Sequence, residues 1–255
     1  MERVVVYAHY NPSSNVDEYV YYNLKALKAV SSRVYFVSNS PISCTNKNRL
    51  SFFCESIRER PNVGYDFSMW RDVIESINYS NLDELVLTNS SIIGPFGDIE
   101  IMFESSRLLE CDIWGLTSNN QIDWHIQSFF IAFKKTALLS GCFKQFWNSV
   151  LPYKNKGQVI RSYEVGLSQF FIENGFRLLV LFKIDWLGLV KNAPKAADYA
   201  KMLSNQNQTI LAPIELMKMG MPYIKREILV KDQRDKRLDP VFNKMISLGI
   251  EQISK

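Results

Sequence analysis

Apolar positions along this chain recur with two periods, and the switches between them mark its elements. Val4 to His9 is a short β-branched run that breaks into Asn11-Pro12-Ser13-Ser14, the pattern of a buried first strand of an α/β sheet. Ser14 with Asp17 three residues later signals a helix start, and Val16, Val20, Leu24 and Leu27 then repeat at helical spacing. Arg33 to Ser38 reads as a second strand, closed by Asn39-Ser40-Pro41. This β-α-β order predicts parallel pairing through a right-handed crossover. Asn62 to Ser76, N-V-G-Y-D-F-S-M-W-R-D-V-I-E-S, sets a glycine and an aspartate in a turn before an amphipathic helix. Trp70, Val73, Ile74 and Ile77 share one face of that helix.

Further strands are expected over Glu84 to Thr88, Cys111 to Leu116 and the aromatic run Ile126 to Phe133. The turn-rich Asn89-Ser90-Ser91 and Gly94-Pro95-Phe96-Gly97 separate the first two, and a polar loop from Ser118 to Trp124, expected to be exposed, precedes the third. Ser162 to Asn174 predicts a helix stopped by Gly175, and Phe176 to Phe182 returns as a strand. Lys191 to Gln208 is polar and loop-like, and Pro213 to Met219 is a short helix stopped by Gly220. These elements predict one α/β domain over residues 1–230 with a less regular C-terminal third. A charged, then weakly amphipathic tail follows over residues 231–255. Its stripe of Phe242, Met245, Ile246, Ile250 and Ile253 faces either lipid or the domain, packing on the domain being the stronger expectation.

Composition narrows the classes. With 255 residues, 47% hydrophobic and 22% charged, the chain is an ordinary globular sequence able to bury a large core. A net charge of +4 is compatible with anionic substrates or an anionic membrane surface. No Lys/Arg stripe interleaved with aromatics argues for nucleic acid. Cys44, Cys54, Cys111 and Cys142 show no C-x-x-C or finger spacing and read as reduced, mostly buried thiols. The opening M-E-R-V-V-V-Y holds no signal-peptide core, and no apolar run nears the ~20 residues of a membrane span. A soluble cytoplasmic protein is expected. The lack of G-x-S-x-G, P-loop, H-E-x-x-H and G-x-G-x-x-G weighs against hydrolases, nucleotide kinases, zinc proteases and dinucleotide oxidoreductases.

Several segments in order, V-V-V-Y-A-H-Y-N at Val4 to Asn11, N-V-G-Y-D-F at Asn62 to Phe67 and L-T-N-S-S-I-I-G-P-F at Leu87 to Phe96, resemble the rhamnan synthesis protein F family. H-I-Q-S-F-F at His125 to Phe130, E-V-G-L-S at Glu164 to Ser168 and G-M-P-Y-I-K-R-E-I-L at Gly220 to Leu229 extend the match. The resemblance implies a GT-A-like, Rossmann-related fold, a mixed and mainly parallel sheet flanked by helices. It also implies transfer of a rhamnose- or galactose-type sugar from a nucleotide donor, dTDP- or UDP-linked, to a growing cell-surface glycan or lipid-linked oligosaccharide. Peripheral contact with the inner face of the plasma membrane fits that setting. The chain departs from the family pattern at Asn89-Ser90, where relatives often carry Asn-Asp, and before Pro213, where they often carry a histidine.

Glycosyl transfer needs a nucleoside pocket, donors or cations at the departing diphosphate and, for inversion, a base for the acceptor hydroxyl. The pocket of such a sheet lies beyond the strand ends, which makes His9, Tyr10, Asn11 and Asn39 candidates. Tyr10 would stack on a base and either asparagine would read its edge, against the plainer reading that they pack and shape turns. Gly64 allows close approach, and Asp66 would hold the base or ribose or simply cap its helix; Arg71 would reach a phosphate. Asn89 and Ser90, with Ser91, stand where a D-x-D metal site would come and supply no carboxylate. Either the enzyme works without a metal, the favoured reading, with Lys225 and Arg226 carrying the diphosphate charge, or magnesium or manganese is held largely by the diphosphate itself. A solvated pair is the plainer reading of the two cations. Glu164, in the first turn of its predicted helix beside Leu167, Phe170 and Phe171, is the candidate base, partial burial raising its pKa; a dipole-favoured glutamate is the plainer reading. Asp123 or His125 is the runner-up, while Trp124 and Gln127 would contact the acceptor. The rival to an enzyme is a non-catalytic glycan-binding or scaffolding module that keeps the fold.

Overall fold

The computed structural model describes residues 1–231 and 238–247. Strand β1 (Arg3–His9) is buried along its whole length because both faces of the sheet are covered. Val5 and Tyr7 enter one core and Val4, Val6 and Ala8 the other. The first core is closed by the helix Glu18–Ala29 through Tyr19, Val20, Leu24 and Leu27, and the second by the helix Tyr65–Ile74 through Phe67, Trp70, Val73 and Ile74. Burying a side chain as large as Trp70 is worth roughly 2–3 kcal/mol. Its indole Nε1 also donates to the Thr88 carbonyl at 3.2 Å, which seats that helix against the sheet.

The remaining strands are β2 (Arg33–Ser38), β3 (Ser56–Glu59), β4 (Glu84–Asn89), β5 (Ile92–Ile93), β6 (Ile113–Gly115) and β7 (Ser118–Asn119). They continue with β8 (His125–Ile126), β9 (Phe130–Lys134), β10 (Leu178–Val180) and β11 (Ile224–Lys225). Seven form one sheet in the order β10-β6-β9-β4-β1-β2-β3. All its pairs are parallel except those of β9, which runs antiparallel between β4 and β6. This is the mixed, mainly parallel, helix-flanked sheet that the resemblance implies, with β1 and β2 paired in parallel as expected. Consequently the C-terminal ends of β1, β2 and β4 lie side by side, with Ala8 opposite both Val37 and Asn89. At the other end Arg3 pairs with buried Glu84, which also accepts from Trp114 Nε1 at 2.8 Å.

Several boundaries differ from those the periodicity predicts. Ser14 has φ 54° and does not cap; Asp17 is the residue preceding the first helix. The loop from Ser118 to Trp124 begins as a buried two-residue ladder, β7 with β8, so the aromatic run is split at Gln127 to Phe129. The helix expected from Ser162 starts at Lys156, because the Asn155 side chain accepts from Gln158 N, and it widens to a π-helical segment over Ile160–Val165. The polar stretch Lys191 to Gln208 contains the helix Ala196–Ser204. Among the four cysteines, none paired, Cys54 is buried and Cys44 exposed. In the tail, Leu238, Val241 and Met245 are buried in the first core, whereas Ile250 and Ile253 lie outside the described residues and the side chains of Phe242 and Ile246 are not described. No helix among the described residues is long and apolar enough to cross a membrane.

Candidate functional site

Two cavities open side by side beyond the C-terminal strand ends. The larger, about 740 Å³, is lined by Tyr10 and Asn39 from the ends of β1 and β2, by the turn Asn62 to Asp66, and by Asn89, Ser90 and Ser91 after β4. Lys154, Lys156 and Arg226 rim it. The smaller, about 290 Å³, holds His125, Gln127, Ser128, Glu164, Asn207, Lys225 and Glu227. Tyr65, Asp66, Asn89, Ser91 and Lys156 line both and form their common wall.

The turn after β3 is built for close approach. Gly64 has φ 81°, and a Cβ there would fall 2.0 Å from Ser68 Oγ, so any other residue displaces the helix start. Tyr65 follows at φ 53°, a left-handed conformation rare outside glycine and commonly retained at sites that need it. Together they bring Asp66 onto the common wall, where its Oδ2 accepts from Asn89 Nδ2 at 2.8 Å. Asn89 Oδ1 in turn accepts from Ser91 N at 3.0 Å and from Ser91 Oγ. Burial raises the Asp66 carboxyl to about 6; the Asn89 hydrogen bond opposes this, Glu164 adds to it, and Lys225 and Lys156 reduce it.

A short antiparallel ladder delivers the cations from the far end of the sequence. Ile224 and Lys225 of β11 pair with Ile93 and Ile92 of β5, and Arg226 N donates to the Ser91 carbonyl at 2.8 Å. Lys225 Nζ lies 4.6 Å from the Phe129 ring centroid. Burial lowers its pKa, while Glu164, Glu227 and Asp66 support its charge. Glu164 Oε1 accepts from Ser128 N at 3.0 Å and Ser128 Oγ at 2.9 Å. The glutamate is held by the π-helical segment, not by a helical first turn as the pattern predicts. The wider turn lets a mid-helix side chain be re-aimed, a common use of such segments.

His125 is buried, and its Nδ1 lies 2.8 Å from the Asp123 carbonyl. Since a carbonyl only accepts, Nδ1 carries a hydrogen in that contact, which fixes the ring's orientation. Gln127 accepts from Thr117 Oγ1 at 2.8 Å and donates to Asn207 Oδ1 at 3.2 Å, which fixes its amide.

Other residues expected at the site are elsewhere. Arg71 is bound to Glu75 and to the Val150 carbonyl, because five helical residues turn it well away from Asp66. Asn11 is consumed by its own turn, accepting from Ser13 N and bonding Ser40 and Asp17. His9 is buried against Phe36 and contacts Ser38 Oγ at 3.0 Å; burial, then Arg226, pushes it down to about 4. Asp123 is exposed and lines neither cavity, and Trp124 packs against the second core. Sequence reasoning missed Tyr65, Ser128, Lys154, Lys156 and Asn207. For the lysines, Asn155 with Gln158 three residues on was a usable cap signal. The carboxylates lining the cavities are Asp66, Glu164 and Glu227, and among the described residues no three His, Cys, Asp or Glu side chains converge as metal ligands.

Comparison with known proteins fits this geometry into a family. Virulence protein VirA of Vibrio anguillarum (strain ATCC 68554 / 775) is 29% identical over 195 residues, covering 69% of this chain and 62% of its own. The uncharacterized protein y4gN of Sinorhizobium fredii (strain NBRC 101917 / NGR234) is 30% identical over 171 residues, covering 65% and 45%. The chain thus spans less than two thirds of the length of either relative. Solved structures similar to it include the glycosyltransferase GlyE of Streptococcus pneumoniae TIGR4, at 12% identity and TM-score 0.46 over 100% of this chain and 65% of that one. Residues 1–349 of TarS from S. aureus match at 12% and TM-score 0.47, over 97% and 80%. The family profile of rhamnan synthesis protein F matches residues 34–247. With most of its length so matched, the chain belongs to the rhamnan synthesis protein F family.

Proposed function

We propose that this chain is a glycosyltransferase that moves a hexose or deoxyhexose, of rhamnose or galactose type, from a dTDP- or UDP-linked donor to a growing cell-surface glycan, with inversion. One observation carries the reading: a larger cavity rimmed by cations meets a smaller one holding an anchored carboxylate, and they share a wall. The nucleoside diphosphate occupies the larger cavity, with Tyr10 and Asn39 at the base and Lys154, Lys156 and Arg226 toward the phosphates. The acceptor enters the smaller cavity between Gln127, Asn207 and His125.

At the junction the acceptor oxygen forms its bond to the anomeric carbon as the bond to the diphosphate oxygen breaks. Glu164, oriented by Ser128, takes the hydroxyl proton, and the departing negative charge is met by Lys156, Lys225 and Arg226. Asp66 sits on the wall between donor and acceptor and is assigned to the donor sugar or ribose. Asn89-Ser90-Ser91 does not fit a divalent cation, which prefers several carboxylate oxygens. Asn89 is already committed to Asp66 and Ser91. No step is therefore routed through a metal.

Transfer assayed with a panel of nucleotide sugars, with and without chelator, tests this reading. Turnover with one donor, insensitive to chelator, is expected; no turnover with any donor or acceptor would remove it. The engagement of Asn89 in place of a metal-binding carboxylate favours the second reading, a glycan-binding module. That module would respond to oligosaccharide and to no nucleotide.

A further inference from the structure

Arg60, which lines neither cavity, joins three segments that shape the larger one. It follows β3, and its backbone N–H donates to the Ser38 carbonyl at 2.9 Å, extending the pairing with β2. Its Nη1 donates to Asn39 Oδ1 at 3.1 Å and to the Val63 carbonyl at 2.7 Å, while Nε binds Asp72 Oδ2 at 2.7 Å. The side chain is 14% exposed, so these charge-assisted bonds form with little competition from water. One guanidinium thus ties the loop after β2, the turn before Gly64 and the helix Tyr65–Ile74 into one wall.

The chemistry of the guanidinium also settles the Asn39 amide. Arginine has only donors, so the atom facing it must be the amide oxygen. Asn39 is buried and lines the cavity. With its oxygen taken, the group left for a ligand is the NH₂, a donor. We infer that Arg60 is a positioning residue that locks Asn39 as a hydrogen-bond donor, so that the cavity reads an acceptor atom, such as a pyrimidine carbonyl, on the nucleoside. This rests on the assignment of the larger cavity to the nucleotide. It adds a residue and a direction of hydrogen bonding that the assignment alone does not contain.

Binding of UDP, dTDP, CDP, GDP and ADP measured by calorimetry on the full chain tests it, with thermal unfolding recorded for every variant. Wild type is expected to bind at least one of the five. Arg60→Ala and Arg60→Lys should each weaken the best ligand by roughly tenfold or more, because lysine lacks the planar fork whose separate Nε and Nη1 reach Asp72, Asn39 and Val63. Asn39→Asp keeps the contact to Arg60 but removes the donor, and should weaken the same ligand comparably even if the Arg60 variants fail to fold. In transfer assays the loss should appear in the donor KM, with kcat within about twofold, since Arg60 touches no reacting atom. A folded Arg60→Ala variant or an Asn39→Asp variant that binds as wild type would overturn the inference. If wild type binds none of the five nucleotides, the nucleotide assignment fails first and the inference with it.

Discussion

The two cavities are built by different means. The larger rests on the regular ends of β1, β2 and β4, so Tyr10, Asn39 and Asn89 are placed by strand register, with the turn after β3 and the cations set around them. The smaller is assembled from irregular pieces: the two-residue ladder of β7 and β8, the π-helical segment and the short C-terminal elements that carry Asn207 and Lys225. The contrast separates a rigid, sheet-anchored half from one whose chemistry depends on how neighbouring segments meet. Loops mounted on a rigid scaffold are the usual place for variation in substrate. On this account the donor side is the fixed half and the acceptor side the adaptable one.

The largest effect should come from the irregular half. Glu164→Gln keeps an oxygen for Ser128 but cannot take a proton, and should lower kcat by about 10²–10⁴-fold while leaving nucleotide affinity unchanged. Wild-type turnover in that variant would end its role as base. In the regular half, Gly64→Ala combines a positive φ with a Cβ 2.0 Å from Ser68 Oγ. It should cost on the order of 1–3 kcal/mol of stability in denaturant unfolding and reduce donor affinity. An unchanged midpoint would show that the helix start yields easily.

Asp66 sits where the halves join and titrates against the fold. Its carboxyl is raised to about 6 from 3.8, so the native state holds that proton more tightly than the unfolded chain; this contribution is greatest below about pH 4 and falls as pH rises to about 6. His9, lowered to about 4 from 6.5, acts oppositely: stability is lost as pH falls from 6.5 toward 4. Asp66→Asn should stabilise the protein at pH 7.5 by roughly 1–3 kcal/mol, unmask a steeper rise of stability between pH 4 and 6, and impair transfer. A variant destabilised at pH 7.5 would contradict the burial of that charge. Lys156→Ala, removing an exposed cation, should weaken nucleotide binding only about 3–10-fold, and less at high salt. The smallest expected effect is at Arg71→Ala, whose side chain is tied to Glu75 and Val150: donor KM should not change.

The same contrast decides what could be read beforehand. Val4 to His9, Arg33 to Ser38 and Glu84 to Thr88 are apolar runs bounded by turn residues, so the strands and the residues at their ends, Tyr10, Asn39 and Asn89, follow from local pattern. Asp66 was legible because Gly64 marks its turn. The pairing of Asp66 with Asn89 was not, since it joins residues 23 apart through a register that no local period reveals. Glu164 lines the smaller cavity from a π-helical segment and not from a helical first turn, a difference the pattern does not reveal because such a segment has no compositional signature. Arg71 and Trp124 failed for a different reason: polarity and flatness say what a side chain can do, not which way its element points it.

Thermal unfolding of the full chain with nucleoside diphosphates and, separately, with neutral oligosaccharides tests most directly whether the larger cavity is a nucleotide site. The account predicts that UDP or dTDP raises the midpoint in proportion to the logarithm of its concentration, with the rise diminished in Gly64→Ala and retained in Glu164→Gln. A midpoint that responds only to oligosaccharide, or to a nucleotide equally in both variants, would contradict it.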